Sequence, residues 1–176
     1  MKTSIWAASL VALIGAAPVL AQDYNVTVTN LMEPGNTIAP LIVVDAVLAS
    51  PFMFNEDGTL SDDFVATILE GDPRPMNGKI GAGVAGPVLG SSGVQGVLID
   101  GGETATTDMF IMSNTLRFYA KGSYGEGEDT VISGVHDIAT GGGTILLNRY
   151  DIGHSEGTNT ITLVDEGVVR VVITPN

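Results

Sequence analysis

From Thr104 onward the chain is a succession of short runs rich in β-branched and aromatic residues, broken by glycine, asparagine and aspartate: "TATTDMFIM", "TLRFYA", "DTVIS", "GTILLNRY", "NTITLV" and "GVVRVVITP". Runs of this length and composition, spaced by turn chemistry, predict strands joined by hairpins. A parallel sheet would need a helix between successive strands, and the intervening segments are too short and too rich in glycine to supply one. The pattern therefore constrains the fold to an antiparallel all-β architecture, a β-sandwich.

Earlier segments fit the same frame. "YNVTVTNL", residues 24–31, alternates apolar and polar side chains and predicts a half-buried strand. "MEPGNT" is turn chemistry, and the continuous apolar run after it predicts a strand from Leu41 to Leu48, buried on both faces over much of its length. One short helix is expected after "SPFMFNEDGTLSDDF". Ser61 caps it, Asp62 and Asp63 complement its dipole, and Phe64, Val65, Ile68 and Leu69 share one face. From Pro73 to Gly102 glycine and proline dominate, with "VQGVLI" as a strand.

The N-terminus carries a different signal. Lys2 precedes the apolar stretch "IWAASLVALIGAA", followed by Pro18 and Val19-Leu20-Ala21. This reads as a secretory signal peptide, residues 1–21, cleaved after Ala21, leaving one domain over residues 22–176. The stretch is shorter than the roughly 20 apolar residues that span a bilayer. The expected product is secreted or periplasmic.

Charge narrows the partners. With 20 acidic and 7 basic side chains the net charge is −13. Such a surface repels phosphate backbones and anionic lipid heads, so neither nucleic acid nor membrane insertion is expected, and cations are the natural ligands. There is no cysteine, which excludes thiol chemistry and disulfide staples.

Catalytic patterns are missing from the sequence. "LGSSGV" lacks nucleophile-elbow spacing and "AKGSYGEG" lacks the order of a phosphate loop. "FNEDGTL" does not place ligands as an EF-hand does and reads as a turn. His136 and His154 lie near acids but lack zinc-site spacing, and both read as polar loop residues. A carbohydrate-active hydrolase using paired carboxylates is the alternative enzymatic reading, although Trp6, the one tryptophan, lies in the signal segment. A surface-appendage subunit is a further alternative.

The segment "YDIGHSEGTN", residues 150–159, is either an acidic hairpin turn or a cation-holding loop. Asp151 and Glu156 flank a glycine that allows a sharp fold, and Asn159 and main-chain carbonyls could complete an oxygen shell of the kind calcium takes. Two carboxylates on one tight loop repel unless a cation sits between them.

Several of these segments resemble the spondin N-terminal domain family, which also occurs as stand-alone exported proteins in bacteria. The opening "YNVTVTNLMEPGNTIAPLIVV", the acidic helix and its exit "LSDDFVATILEGDPRPM", the strand and turn in "MFIMSNTLRFYAKG", and the Asp-x-Gly-x-acid loop "YDIGHSEG" carry the similarity over roughly residues 24–157. The resemblance implies a C2-like antiparallel β-sandwich with one short helix, calcium on loops at one end, and no catalytic activity. By position it implies Asp151, Glu156 and Asn114 as metal ligands, and a role in extracellular binding or adhesion to a protein or glycan. Ile152 stands where the family has a small residue, the loop is one residue longer, and Asn114 replaces an Asp, so the implied calcium affinity is lowered.

Overall fold

The computed structural model describes residues 21–88, 98–122, 129–138 and 141–176. The signal segment, apart from Ala21, and most of "VQGVLI" lie outside those residues.

The protein is mostly antiparallel β. Eight strands, β1 (Gln22–Asn30), β2 (Leu41–Asp45), β3 (Val84–Val88), β4 (Thr104–Ile111), β5 (Thr115–Lys121), β6 (Thr130–Asp137), β7 (Gly143–Asp151) and β8 (Thr162–Pro175), form one hydrogen-bonded sheet. Its order is β3-β2-β5-β6-β7-β8-β1-β4. The two edge strands, β3 and β4, approach each other, so the sheet nearly closes on itself. The observed architecture is a single, nearly closed antiparallel sheet, where the sequence suggests a two-sheet sandwich.

Strand alternation sorts side chains between two cores. Tyr24, Val26 and Val28 of β1 meet Val169, Val171 and Ile173 of β8, Leu116 and Phe118 of β5, and Leu147 of β7 in an inner core to which every strand contributes. Outward-facing Thr27 and Thr29 bond across to Thr106 and Thr104 at 3.0 and 3.1 Å. Asn30 is buried but satisfied: its amide donates to the carbonyls of Asn36 and Ile99, and its oxygen accepts the Met32 amide. β2 is buried on both faces, as its apolar run predicts, with Leu41 and Val43 inside and Ile42 and Val44 in a second, outer core.

Three helices build that outer core: α1 (Ala46–Met53), α2 (Asp62–Glu70) and α3 (Arg74–Ile80), the last running into a 3-10 turn over Gly81–Gly83. The sequence predicts only α2, which matches in detail: Ser61 Oγ accepts the Phe64 amide, and Phe64, Val65 and Ile68 are buried with Leu69 half-buried beside them. The expected strand through Leu48 is corrected. It stops at Asp45, whose carboxylate accepts the amides of Val47 and Leu48, both at 2.8 Å, and thereby caps α1. α3 is also an addition, anchored where the Tyr119 hydroxyl donates to Asn77 Oδ1 at 2.7 Å.

Two further expectations change. "NTITLV" and "GVVRVVITP" belong largely to one long strand, β8, with Gly167 at φ +65° and the β7 pairing shifting register near Arg149. His136 lies within β6 opposite Leu116, not in a loop. "FNEDGTL" is the expected turn, closed by the Phe54–Leu60 bridge and by Asp57 accepting from the Thr59 amide and hydroxyl.

Candidate metal centre

The loop between β7 and β8 spans residues 152–161 and is the hairpin connection that its flanking runs predict. It is not an open tip. Ile152 is fully buried in the outer core and fixes the start of the loop. Gly153 and Gly157, both at φ +67°, and Asn159 at φ +49° turn the chain. Gly153 cannot be replaced without a clash, since a Cβ there would lie 2.4 Å from Thr158 Oγ1 and 2.8 Å from the Thr160 carbonyl. The Gly153 carbonyl accepts the amides of Thr158 and Asn159, and the Asn159 carbonyl accepts the Leu60 amide, which ties the loop to the helical layer.

Sheet pairing brings a third acid to this loop. Thr130 of β6 lies opposite Asp151 of β7, so Asp129 sits beside Ile152, whose amide donates to the Asp129 carbonyl at 3.0 Å. One carboxylate oxygen from each of Asp129, Asp151 and Glu156 lies within 4.8 Å of the others. The three differ in exposure: Asp129 is buried at 8% exposure, Asp151 is half-buried and Glu156 is exposed.

Hydrogen bonds set the two aspartates. Asp151 Oδ1 accepts the Gly153 amide at 2.6 Å. Asp129 Oδ2 accepts the Ser155 amide at 2.8 Å and the Ser155 hydroxyl at 2.9 Å. Burial of Asp129 works to raise its pKa. The donors of Ser155, with the backbone of Asp129 and His154, outweigh that burial and hold the carboxyl below its ordinary range. Asp129 is thus kept anionic.

The donor set suits a hard cation. Carboxylates and carbonyls are what calcium, magnesium and manganese take, and the described cluster contains neither imidazole nor thiolate. Three anionic groups this close repel one another, and a divalent ion among them would convert repulsion into attraction. These residues fit an oxygen-coordinated divalent ion.

Of the residues the sequence nominates, Asp151 and Glu156 come together and Asn114 does not join them. Asn114 precedes β5 and its carbonyl accepts the Ile138 amide, at the far end of β6 from Asp129, roughly 20 Å or more along the strand. Asp129 takes the third place. His136 is likewise near that far end and His154 is on the loop, so the two histidines do not meet.

The chain matches no protein-family model and no curated protein. Among the described residues, no helix is long and apolar enough to cross a membrane.

Proposed function

We propose that residues 22–176 form an exported, non-catalytic, calcium-binding β module that mediates extracellular binding or adhesion. The observation that carries this reading is the convergence of Asp129, Asp151 and Glu156. Calcium is preferred to magnesium in this reading because it accepts irregular shells of six to eight oxygens, whereas magnesium demands a near-ideal octahedron. A loop with one exposed ligand suits the more tolerant coordination sphere of the larger ion.

In this reading the nearly closed sheet is a C2-like sandwich of the spondin type, with the ion at one end where the β7–β8 loop meets the start of β6. The ion would tie that loop to β6, and the rest of its oxygen shell would come from main-chain carbonyls and water. The adhesive role, with an extracellular protein or glycan as partner, rests on the family resemblance, and export rests on residues 1–21.

Calorimetric titration of metal-stripped protein with calcium tests the central part. A saturable single-site heat is expected, lost in Asp129→Asn and in Asp151→Asn and much smaller with magnesium. An unchanged isotherm in both variants would remove the metal from this reading. Export is checked by producing the full chain in a bacterium and sequencing the recovered N-terminus, which should begin at Gln22; intact Met1 in the cytoplasmic fraction would count against it.

A further inference from the structure

Arg117 stands apart from the other charged residues. β5 carries it on the face that Tyr119 shares, toward the outer core and its helices. Its Nε is buried and has no hydrogen-bond partner among the described residues. The Phe54 ring packs on the guanidinium, with Cζ 4.9 Å from the ring centroid. Elsewhere Arg74, Lys79 and Arg149 pair with Asp72, Asp63 and Asp165. At Arg117 burial pulls the pKa below the usual arginine range, and the electrostatic partner is the Tyr150 phenol rather than a carboxylate. The group remains a cation at neutral pH.

That cation looks into a cavity. A space of about 290 Å³, open to solvent, lies between the β5-β6-β7 face and the first two helices, walled by Met53, Phe54, Phe64, Val135 and Ile161 around Arg117. Val135 and Ile161 are 44% and 38% exposed at its mouth. Apolar walls with a few convergent polar groups are typical of small-molecule sites, and this volume falls just below their usual range of about 300 to 1,000 Å³, which limits the occupant to a small molecule. The guanidinium is half-buried and has no carboxylate partner among the described residues, so it is partly desolvated without a compensating anion.

We propose that this cavity binds a small amphipathic monocarboxylate, its head group on the Arg117 guanidinium and its short aliphatic or aromatic body against Phe54, Val135 and Ile161. The guanidinium fork matches a carboxylate in two parallel hydrogen bonds, and its packing on Phe54 holds the fork in place. One positive charge specifies one negative charge. A phosphate dianion would call for a second cation, and Arg117 is the one charged residue of the wall. The site stands on observations separate from the acid cluster and is independent of the calcium reading.

The test is a nuclear magnetic resonance titration of residues 22–176 with octanoate, octanol and octylammonium. Octanoate should shift the amides of Ser133, Val135 and Ile161 saturably and bind at least about tenfold more tightly than octanol, the discrimination a charge-assisted pair supplies. Octylammonium should not bind. In Arg117→Met the apolar contacts remain and the charge is gone, so octanoate and octanol should bind alike. Equal affinity of the parent for octanoate and octanol, or a preference that survives in Arg117→Met, would overturn the proposal. Should that variant not fold, two others decide. Arg117→Lys should keep a weakened preference, and Val135→Trp, at the exposed mouth, should block octanoate with Arg117 in place; unaltered octanoate affinity in Val135→Trp rejects the site.

Discussion

The Asp129 carboxylate holds Ser155 by both its amide and its hydroxyl, at 2.8 and 2.9 Å, and so pins the β7–β8 loop to the first residue before β6. The contact is made by protein groups alone and orders part of the loop. It also makes part of the fold's stability depend on pH. The folded pKa of Asp129 is lowered, so its contribution is fully present above the unfolded aspartate value of about 3.9 and is lost as pH falls through the folded value. Urea unfolding of calcium-free protein should show a fall in stability over that acid window which is shallower in Asp129→Ala. At neutral pH the same variant should be less stable by about 1 to 2 kcal/mol, since Ser155 is exposed and water can take over its donors.

Calcium should raise the melting temperature. A ligand that binds only the folded state adds about 2.7 kcal/mol when its free concentration is 100 times the dissociation constant. Asp151→Asn and Glu156→Gln should lose the response, and magnesium should give much less of it. Asn114→Ala should respond to calcium as the parent does, because the structure puts Asn114 at the other end of β6. A loss of response in that variant would restore the ligand assignment drawn from the family resemblance.

Gly153→Ala should damage the loop from within. The substitution introduces a side chain at φ +67° and drives a Cβ into Thr158 Oγ1 and the Thr160 backbone. Strain of this kind costs of the order of 1 to 3 kcal/mol. Chemical denaturation should register that loss, and the calcium heat should fall with it, since Asp151 Oδ1 takes its orientation from the Gly153 amide.

Tyr119→Phe isolates the anchoring of α3. The ring packs edge-on against Phe64, with centroids 5.4 Å apart, and stays when only the hydroxyl is removed. What goes is the bond to Asn77 Oδ1, worth about 0.5 to 1.5 kcal/mol. Hydrogen exchange should speed up in Arg74–Ile80 more than in the strands.

Period-two alternation made β1 legible, and β-branched and aromatic runs spaced by turn residues did so for the strands from β4 onward. The run after Pro40 was legible as buried and ambiguous as to type: a short apolar stretch suits a strand or a helix equally, and the deciding group, Asp45, reads either as an interruption or as a cap. α3 was hidden because "RPMNGKI" carries a proline and a glycine and is held by tertiary contacts such as Tyr119 with Asn77, not by helix propensity. Two of the three acids were visible as neighbours on one loop. The third is remote in sequence and comes near only through the β6–β7 register, which no local pattern encodes. Arg117 is equally silent in sequence, where it is a single charge within "TLRFYA".

The approach of β3 to β4 bears on how the protein avoids pairing with other chains. A row of unpaired amides and carbonyls on a free strand is a template on which a second chain can pair. Here the curl sets each edge against the other, and β3 carries Pro87, which has no amide hydrogen to offer. The same curvature that gathers the inner core therefore leaves little open border for fibril-like growth.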